Sequence, residues 1–482
     1  MQLLYDKLKS FGQSDAYPFH MPGHKRRGMD FENPYQIDIT EIEGFDNLHH
    51  AQGILKEAEE RAAHLYGSEE TYFCVNGSTA GILSAISACV PCGSRILMAR
   101  NCHKAAYHAV FLRQLEVTYI YPQKVGQLGI NGGLLPEKVE EMLIKYPDIR
   151  AVFITSPTYD GIVSDVGGIA EAVHRHHVPL IVDEAHGAHF GFHEYFPESS
   201  VKQGADIVIH SLHKTLPCLT QTSLVHVNGK LADRAALRDY LGIYQTSSPS
   251  YVLMASMDSC VGLLRERGEE LFESYVKRLK EFRERAQALH RIRVADIERR
   301  ADIYDVDMSK IIISDINGKI PGNELYERLR CEYGLWLEMA AGRYALAMTS
   351  VMDTREGYDR LVRALYSIDE EVPHIWETVP QESGCCQKED GLPENAAVLP
   401  IWKAAGRGDD GYRRKRLMLQ ESEGEISAEY MYLYPPGIPL IVPGEKISGE
   451  FIEKVLQYKK LGHSIQGCSD YEAESIEVLE RC

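Results

Sequence analysis

The chain has 482 residues, more than one ordinary domain holds, with 44% hydrophobic and 25% charged residues, an ordinary balance for a folded globular protein. Its net charge of -18 argues against a nucleic-acid binder, which needs a basic surface, and against docking on anionic membranes. It is compatible with a cationic substrate, and equally with plain solubility.

The N-terminus has no basic start followed by an apolar run, so no secretory signal is read there, and the longest apolar runs are strand-sized. The first fifty residues carry loop signals (Pro18, Pro22, Gly23, Pro34, Gly44) and read as an arm, 1–50. From Ala51, the spacing of Ile54, Leu55, Ala58, Ala62 and Leu65 predicts an amphipathic helix, stopped at Gly67. Strand-like runs then alternate with helical ones: 71–75, 95–99, 117–121, 151–155, 179–184, 206–210 and 223–227. Continuous apolar strands separated by helices such as 136–146 and 168–177 predict a mainly parallel sheet covered on both faces. That places a large domain at 51–253, with ligands expected beyond the carboxyl ends of its strands. A long helical pattern over 254–290, strands at 310–314 and 343–349, and helices at 322–332 and 354–370 predict a smaller α/β domain, 254–380. The polar stretch 380–396 reads as a linker, and 381–482 as a small C-terminal domain.

Eleven scattered cysteines suggest a reducing compartment, hence the cytoplasm. Cys89 and Cys92 have CxxC spacing, but a zinc site needs four converging ligands and no metal is expected.

Three features fall at or after strand ends. Asn76-Gly77-Ser78-Thr79 precedes a helix and could cradle an anion, or simply cap that helix. Asp183 closes the run 179–184; a carboxylate there could face a metal, a ribose or a protonated ring nitrogen, or cap a turn. Ser211-Leu212-His213-Lys214 follows the run 206–210, and a lysine at a sheet mouth can form a Schiff base when its pKa is lowered. Together, hydroxyls, an acid and a lysine are the groups that pyridoxal 5'-phosphate (PLP) needs: an anion cradle, a partner for the pyridine nitrogen and an imine-forming amine.

Longer segments carry a family resemblance: FHMPGHKRRG from Phe19, DITEIEGFDNLH from Asp38, VNGSTAG from Val75, RNCHKA from Arg100, TSPTYDG from Thr155, VDEAHGAHFGFH from Val182, HSLHKTLP from His210 and YPPGIPLIVPGE from Tyr434. Over nearly its whole length the chain resembles the Orn/Lys/Arg decarboxylases, fold-type-I PLP enzymes of aspartate-aminotransferase-like fold. The resemblance implies that Lys214 carries the Schiff base, Asp183 pairs with the pyridine nitrogen, and Ser78, Thr79 and Ser211 hold the phosphate. It implies that His103 stacks on the ring, His186 sits close to it and His213 lies beside the imine. It also implies that Ser247 reaches across a dimer to the partner's phosphate. The substrate would be a small cationic amino acid, arginine before lysine before ornithine, and Glu338, Glu43 and Asp46 are the candidate acids for its distal cation. Large members carry an N-terminal wing domain that supports higher assemblies. This chain begins close to the arm, so a homodimer with shared active sites is expected, with higher homo-oligomers left open. An aminotransferase, an aldolase- or lyase-type PLP enzyme, and a non-catalytic PLP-binding regulator are the competing readings. Polyamine synthesis and acid resistance both remain open as the biological setting.

Overall fold

The computed structural model describes residues 3–27, 33–125, 128–297, 299, 303–376, 392–406, 411–434, 437–460 and 464–481. Most of the 380–396 stretch lies outside these residues.

A seven-stranded sheet forms the centre. Its spatial order is Glu70–Cys74, Ser223–Val227, Ile207–His210, Leu180–Asp183, Ile149–Thr155, Arg95–Ala99, Glu116–Ile120. Every strand run predicted for the large domain is a strand of this sheet. Ser223–Val227 is antiparallel to both neighbours, and the other pairings are parallel. The central strands are apolar on both faces: Val152, Phe153, Ile154, Ile181, Val182, Val208 and Ile209 are all fully buried. Each such side chain contributes roughly 1.5–3 kcal/mol on leaving water. Close helix packing needs a small residue at one point: a Cβ on Gly81 would stand 2.9 Å from Val225 Cγ2. This is the fold-type-I architecture expected from the sequence.

The long helix runs Tyr251–Ala286, starting three residues before the predicted boundary. It packs with Arg355–Trp376 beside a four-stranded sheet of order Ile292–Val294, Lys310–Asp315, Tyr344–Met348, Met339–Ala341. The arm holds more regular structure than its loop signals implied. It contains the helix Leu4–Gly12 and the strand Tyr17–Phe19, which pairs in parallel with Leu335–Leu337. Asp305–Val306 pairs with Ile162–Val163, tying the smaller sheet's unit to the larger one. The C-terminal region forms two three-stranded sheets and the helix Gly449–Lys460. Its Val442 joins the core of the large sheet. No helix among the described residues is long and apolar enough to cross a membrane.

Candidate active site

The carboxyl ends of the parallel strands and the amino end of Ser223–Val227 share one edge of the sheet. Lys214, Asp183 and a trio of serines meet there.

Ile207–His210 ends at Ser211, the N-cap of a single helical turn, Leu212–Thr215, that carries Lys214. Lys214 Nζ lies 3.1 Å from His186 Nε2. Burial pushes the Lys214 amine below its ordinary range, with Lys310 adding to the effect, against the pull of Asp183 and Glu338. Burial also lowers His186, helped by Lys214 and Lys310, so its ring is neutral, and its Nδ1 has no hydrogen-bond partner among the described residues. The Tyr159 ring packs against His186 at 4.6 Å.

Asp183 is the last residue of its strand and is buried. One carboxylate oxygen accepts the Ala185 N–H at 3.2 Å. Burial raises its pKa, and the nearby Lys214 opposes that rise.

Ser78 is the second residue of the helix Gly77–Cys89. Its Oγ lies 2.6 Å from Ser211 Oγ and 3.0 Å from Ser223 Oγ. Ser223 Oγ in turn donates to the His210 carbonyl at 2.7 Å. Three hydroxyls at a helix N-terminus can receive an anion. Ser223 was not singled out in the sequence, where it is an ordinary strand residue. Only the antiparallel pairing brings its end of the strand to this edge. Thr79 is exposed and its side chain makes no hydrogen bond among the described residues, so the structure groups Ser223, rather than Thr79, with Ser78 and Ser211.

His103 is both an N-cap and a member of the site. Its Nδ1 accepts the Ala105 N–H at 3.2 Å, and burial, with Lys214 and Lys104, pushes its pKa down to about 3. Gly437 of the C-terminal region packs on it: a Cβ there would lie 3.4 Å from the ring. His213 Nδ1 donates to the Thr222 carbonyl at 2.9 Å, and burial lowers its pKa to about 4.

A profile of the Orn/Lys/Arg decarboxylase major domain matches residues 3–315, and one of the C-terminal domain of the same family matches 411–467. The chain belongs to the Orn/Lys/Arg decarboxylase family. It is 32% identical to an arginine decarboxylase of Bacillus subtilis, over 99% of this chain and 97% of the relative. It is 25% identical to the constitutive lysine decarboxylase of Escherichia coli, over 86% of this chain and 68% of that one. The crystal structure of the Francisella novicida lysine decarboxylase superposes with a TM-score of 0.79 at 20% identity, over 99% of this chain and 80% of that one. That last likeness is one of fold.

Of the three acids weighed for the distal cation, only Glu338 is joined to Lys214 by contacts among the described residues. Its Oε1 accepts the Tyr159 hydroxyl, its Oε2 accepts the Met21 N–H at 2.8 Å, and Tyr159 leads through His186 to Lys214. Asp46 is spent on the backbone. Its carboxylate accepts the N–H groups of Asn47, Gln52, Gly53 and Leu55, and so fixes the entry to the helix Ile54–Tyr66. Glu43 is exposed, with no side-chain hydrogen bond among the described residues. Ser247 is also exposed, in a loop whose Thr246 N–H donates to Asn76 Oδ1 at 3.2 Å, beside the serine trio.

Two further residues escaped the sequence reading. Arg100 and Glu445 form an ion pair at 3.1 Å with 0% and 1% side-chain exposure. Arg100 also donates to the carbonyls of Pro439 and Leu440 and to the Tyr107 hydroxyl. This pair clamps the C-terminal region three residues before His103. Both lie inside quoted motifs, but nothing local shows that two residues 345 positions apart meet.

Proposed function

We propose that this chain is a PLP-dependent L-arginine decarboxylase that works in the cytoplasm as a homodimer. The observation that carries the reading is the gathering of Lys214, Asp183 and the Ser78–Ser211–Ser223 trio at one sheet edge, with the Lys214 amine 3.1 Å from a neutral His186.

The residues fit the cofactor. The serine trio and the first N–H groups of the helix Gly77–Cys89 would hold its phosphate. The second oxygen of Asp183, which accepts no hydrogen bond among the described residues, would face the pyridine nitrogen. His103 would cover the ring, and Lys214 would bind the aldehyde carbon. When bound, PLP supplies an electron sink for the bond broken at the α-carbon.

The chain's own residues set the rest. The lowered pKa of Lys214 favours the free amine, the form that attacks a carbonyl carbon. The same amine, once protonated, is the better proton donor to the α-carbon after carbon dioxide leaves. His213 is poorly suited, because its Nδ1 proton is held by Thr222 and burial keeps its Nε2 bare at neutral pH. Glu338 would bind the distal cation. Its two oxygens each accept one hydrogen bond already, leaving one lone pair apiece. Those suit the paired N–H groups of a planar guanidinium better than a point-like ammonium. The near-full-length similarity to an arginine decarboxylase, against lower identity to a lysine decarboxylase, supports the same choice. Free cysteines support a reducing compartment, and the exposed Ser247 loop beside the serine trio supports a site completed by a second copy.

The test is a product assay on purified, PLP-loaded protein with L-arginine, L-lysine and L-ornithine in parallel. Agmatine from arginine is the expected result. Lys214→Ala should abolish both the amine and the visible absorbance of the lysine-bound cofactor. No amine from any of the three substrates would overturn the reading.

A further inference from the structure

The segment His20–Lys25 has no role in the chemistry above, yet it is wedged between the two ends of the site. Gly23 N donates to the His213 carbonyl at 2.7 Å, and a Cβ on Gly23 would stand 2.7 Å from Thr215 C and from Leu216 N. The segment therefore lies flush against the backbone that carries Lys214. Two residues earlier, the Met21 N–H donates to Glu338. Lys25 is buried, and its ammonium donates to the carbonyls of His20 at 2.9 Å and Met348 at 2.8 Å, which pins the segment from within. The Ser350 hydroxyl closes on the Gly23 carbonyl at 2.5 Å.

One more side chain lies near Glu338: the His20 ring, on which the Glu338 charge acts against the effect of burial. Tyr17, Pro18 and Phe19 pair in parallel with Leu335, Trp336 and Leu337. The pairing ends there, and His20 and Glu338 are the residues that directly follow the two strands. His20 Nδ1 lies 2.5 Å from the Met21 carbonyl. A carbonyl only accepts, so Nδ1 carries the proton, and in the neutral ring Nε2 is a bare acceptor. That Nε2 is buried and has no hydrogen-bond partner among the described residues. A buried acceptor without a donor is costly unless a ligand supplies one.

We propose that His20 is a specificity-determining residue of this site: its Nε2 and the Glu338 carboxylate form a two-part acceptor for a guanidinium group, with the Gly23–Lys25 wedge holding both at a set distance from Lys214. This rests on Glu338 taking the distal cation. A guanidinium carries five N–H donors in a planar fork, so it can reach Glu338 and His20 together. A primary ammonium, a compact group on a flexible stem, has no such spread. The arm thus selects for arginine over lysine.

The test is calorimetric binding of agmatine and of cadaverine to the PLP-loaded enzyme and its variants, with KM and kcat for arginine and lysine measured alongside. His20→Asn places an amide where Nδ1 lies and removes the Nε2 acceptor, whereas His20→Gln returns an acceptor near that position. H20N should weaken agmatine roughly tenfold or more while cadaverine stays within about twofold, and H20Q should restore most of the loss. The arginine KM should rise with little change in kcat. H20A should show the same selective loss and serves if H20N does not fold. Unchanged agmatine binding in H20N, or equal losses for both amines, would overturn the proposal. Glu338→Gln separates the two claims. If it weakens both amines while H20N weakens neither, only the His20 assignment falls. If it weakens neither, the Glu338 reading itself falls.

Discussion

Replacing Glu445 by Gln removes the counter-charge of Arg100 and leaves the guanidinium in place. Both side chains are essentially inaccessible to water, and a guanidinium does not lose its proton in a protein. Breaking a buried pair from one side costs about 3–5 kcal/mol. The retained hydrogen bonds from Arg100 to Pro439, Leu440 and Tyr107 argue for the lower end, about 3 kcal/mol. Arg100→Met should cost less, because the stranded Glu445 can take a proton. Burial already raises its pKa, with Arg100 opposing that rise, so the loss of Arg100 raises it further. The double variant R100M/E445M, apolar on both sides, should recover most of the E445Q loss. Native-state hydrogen exchange reads this locally, since the clamp holds the strand Ile438–Ile441. A loss of about 3 kcal/mol corresponds to a roughly hundredfold faster exchange of those amides. Unchanged exchange in E445Q, or a larger effect from R100M at neutral pH, would refute the reasoning.

Burial pushes Glu59 up to about 7, against a bond from the Phe73 N–H. The folded state thus holds this proton more tightly than the unfolded chain, so stability is lost as pH rises between the ordinary glutamate range and about 7. Glu59→Gln keeps an acceptor for Phe73 and should gain up to about 3 kcal/mol at pH 8 and almost nothing at pH 4, read from urea unfolding. Gly161 has φ of +99° and no room for a Cβ, which would lie 2.9 Å from Lys310 Cγ. Gly161→Ala should therefore cost about 2 kcal/mol or more in the same assay, and a neutral result would deny that this turn is tightly seated against the smaller sheet's unit. Ser223→Ala should weaken PLP binding to the apo-protein about tenfold by equilibrium dialysis, whereas an unchanged affinity would remove Ser223 from the anion cradle.

What the sequence determined by itself is the part that depends on neighbours along the chain. Apolar runs at 71–75, 151–155 and 206–210 bury as strands because both of their faces are hydrophobic. The 3.6-residue spacing from Ile54, closed by Gly67 with φ of +77°, becomes the helix Ile54–Tyr66. The position of Lys214 and Asp183 at the sheet edge was legible for the same reason: each directly ends or follows a strand, where open α/β sheets gather their ligands. Tertiary structure decided the rest. Ser223 enters the serine trio only because its strand runs antiparallel and brings its first residue to the strand ends of the others. Glu338 is singled out from Asp46 because the arm and Tyr159 meet it, while Asp46 is used up on four nearby N–H groups. Arg100 and Glu445 are unremarkable charged residues until the C-terminal region folds back and dries both of them. Local pattern reports which face of an element is buried; it holds no information on which distant side chain shares that burial, and in this protein the serine trio and the contacts of Glu338 are both made of such pairs.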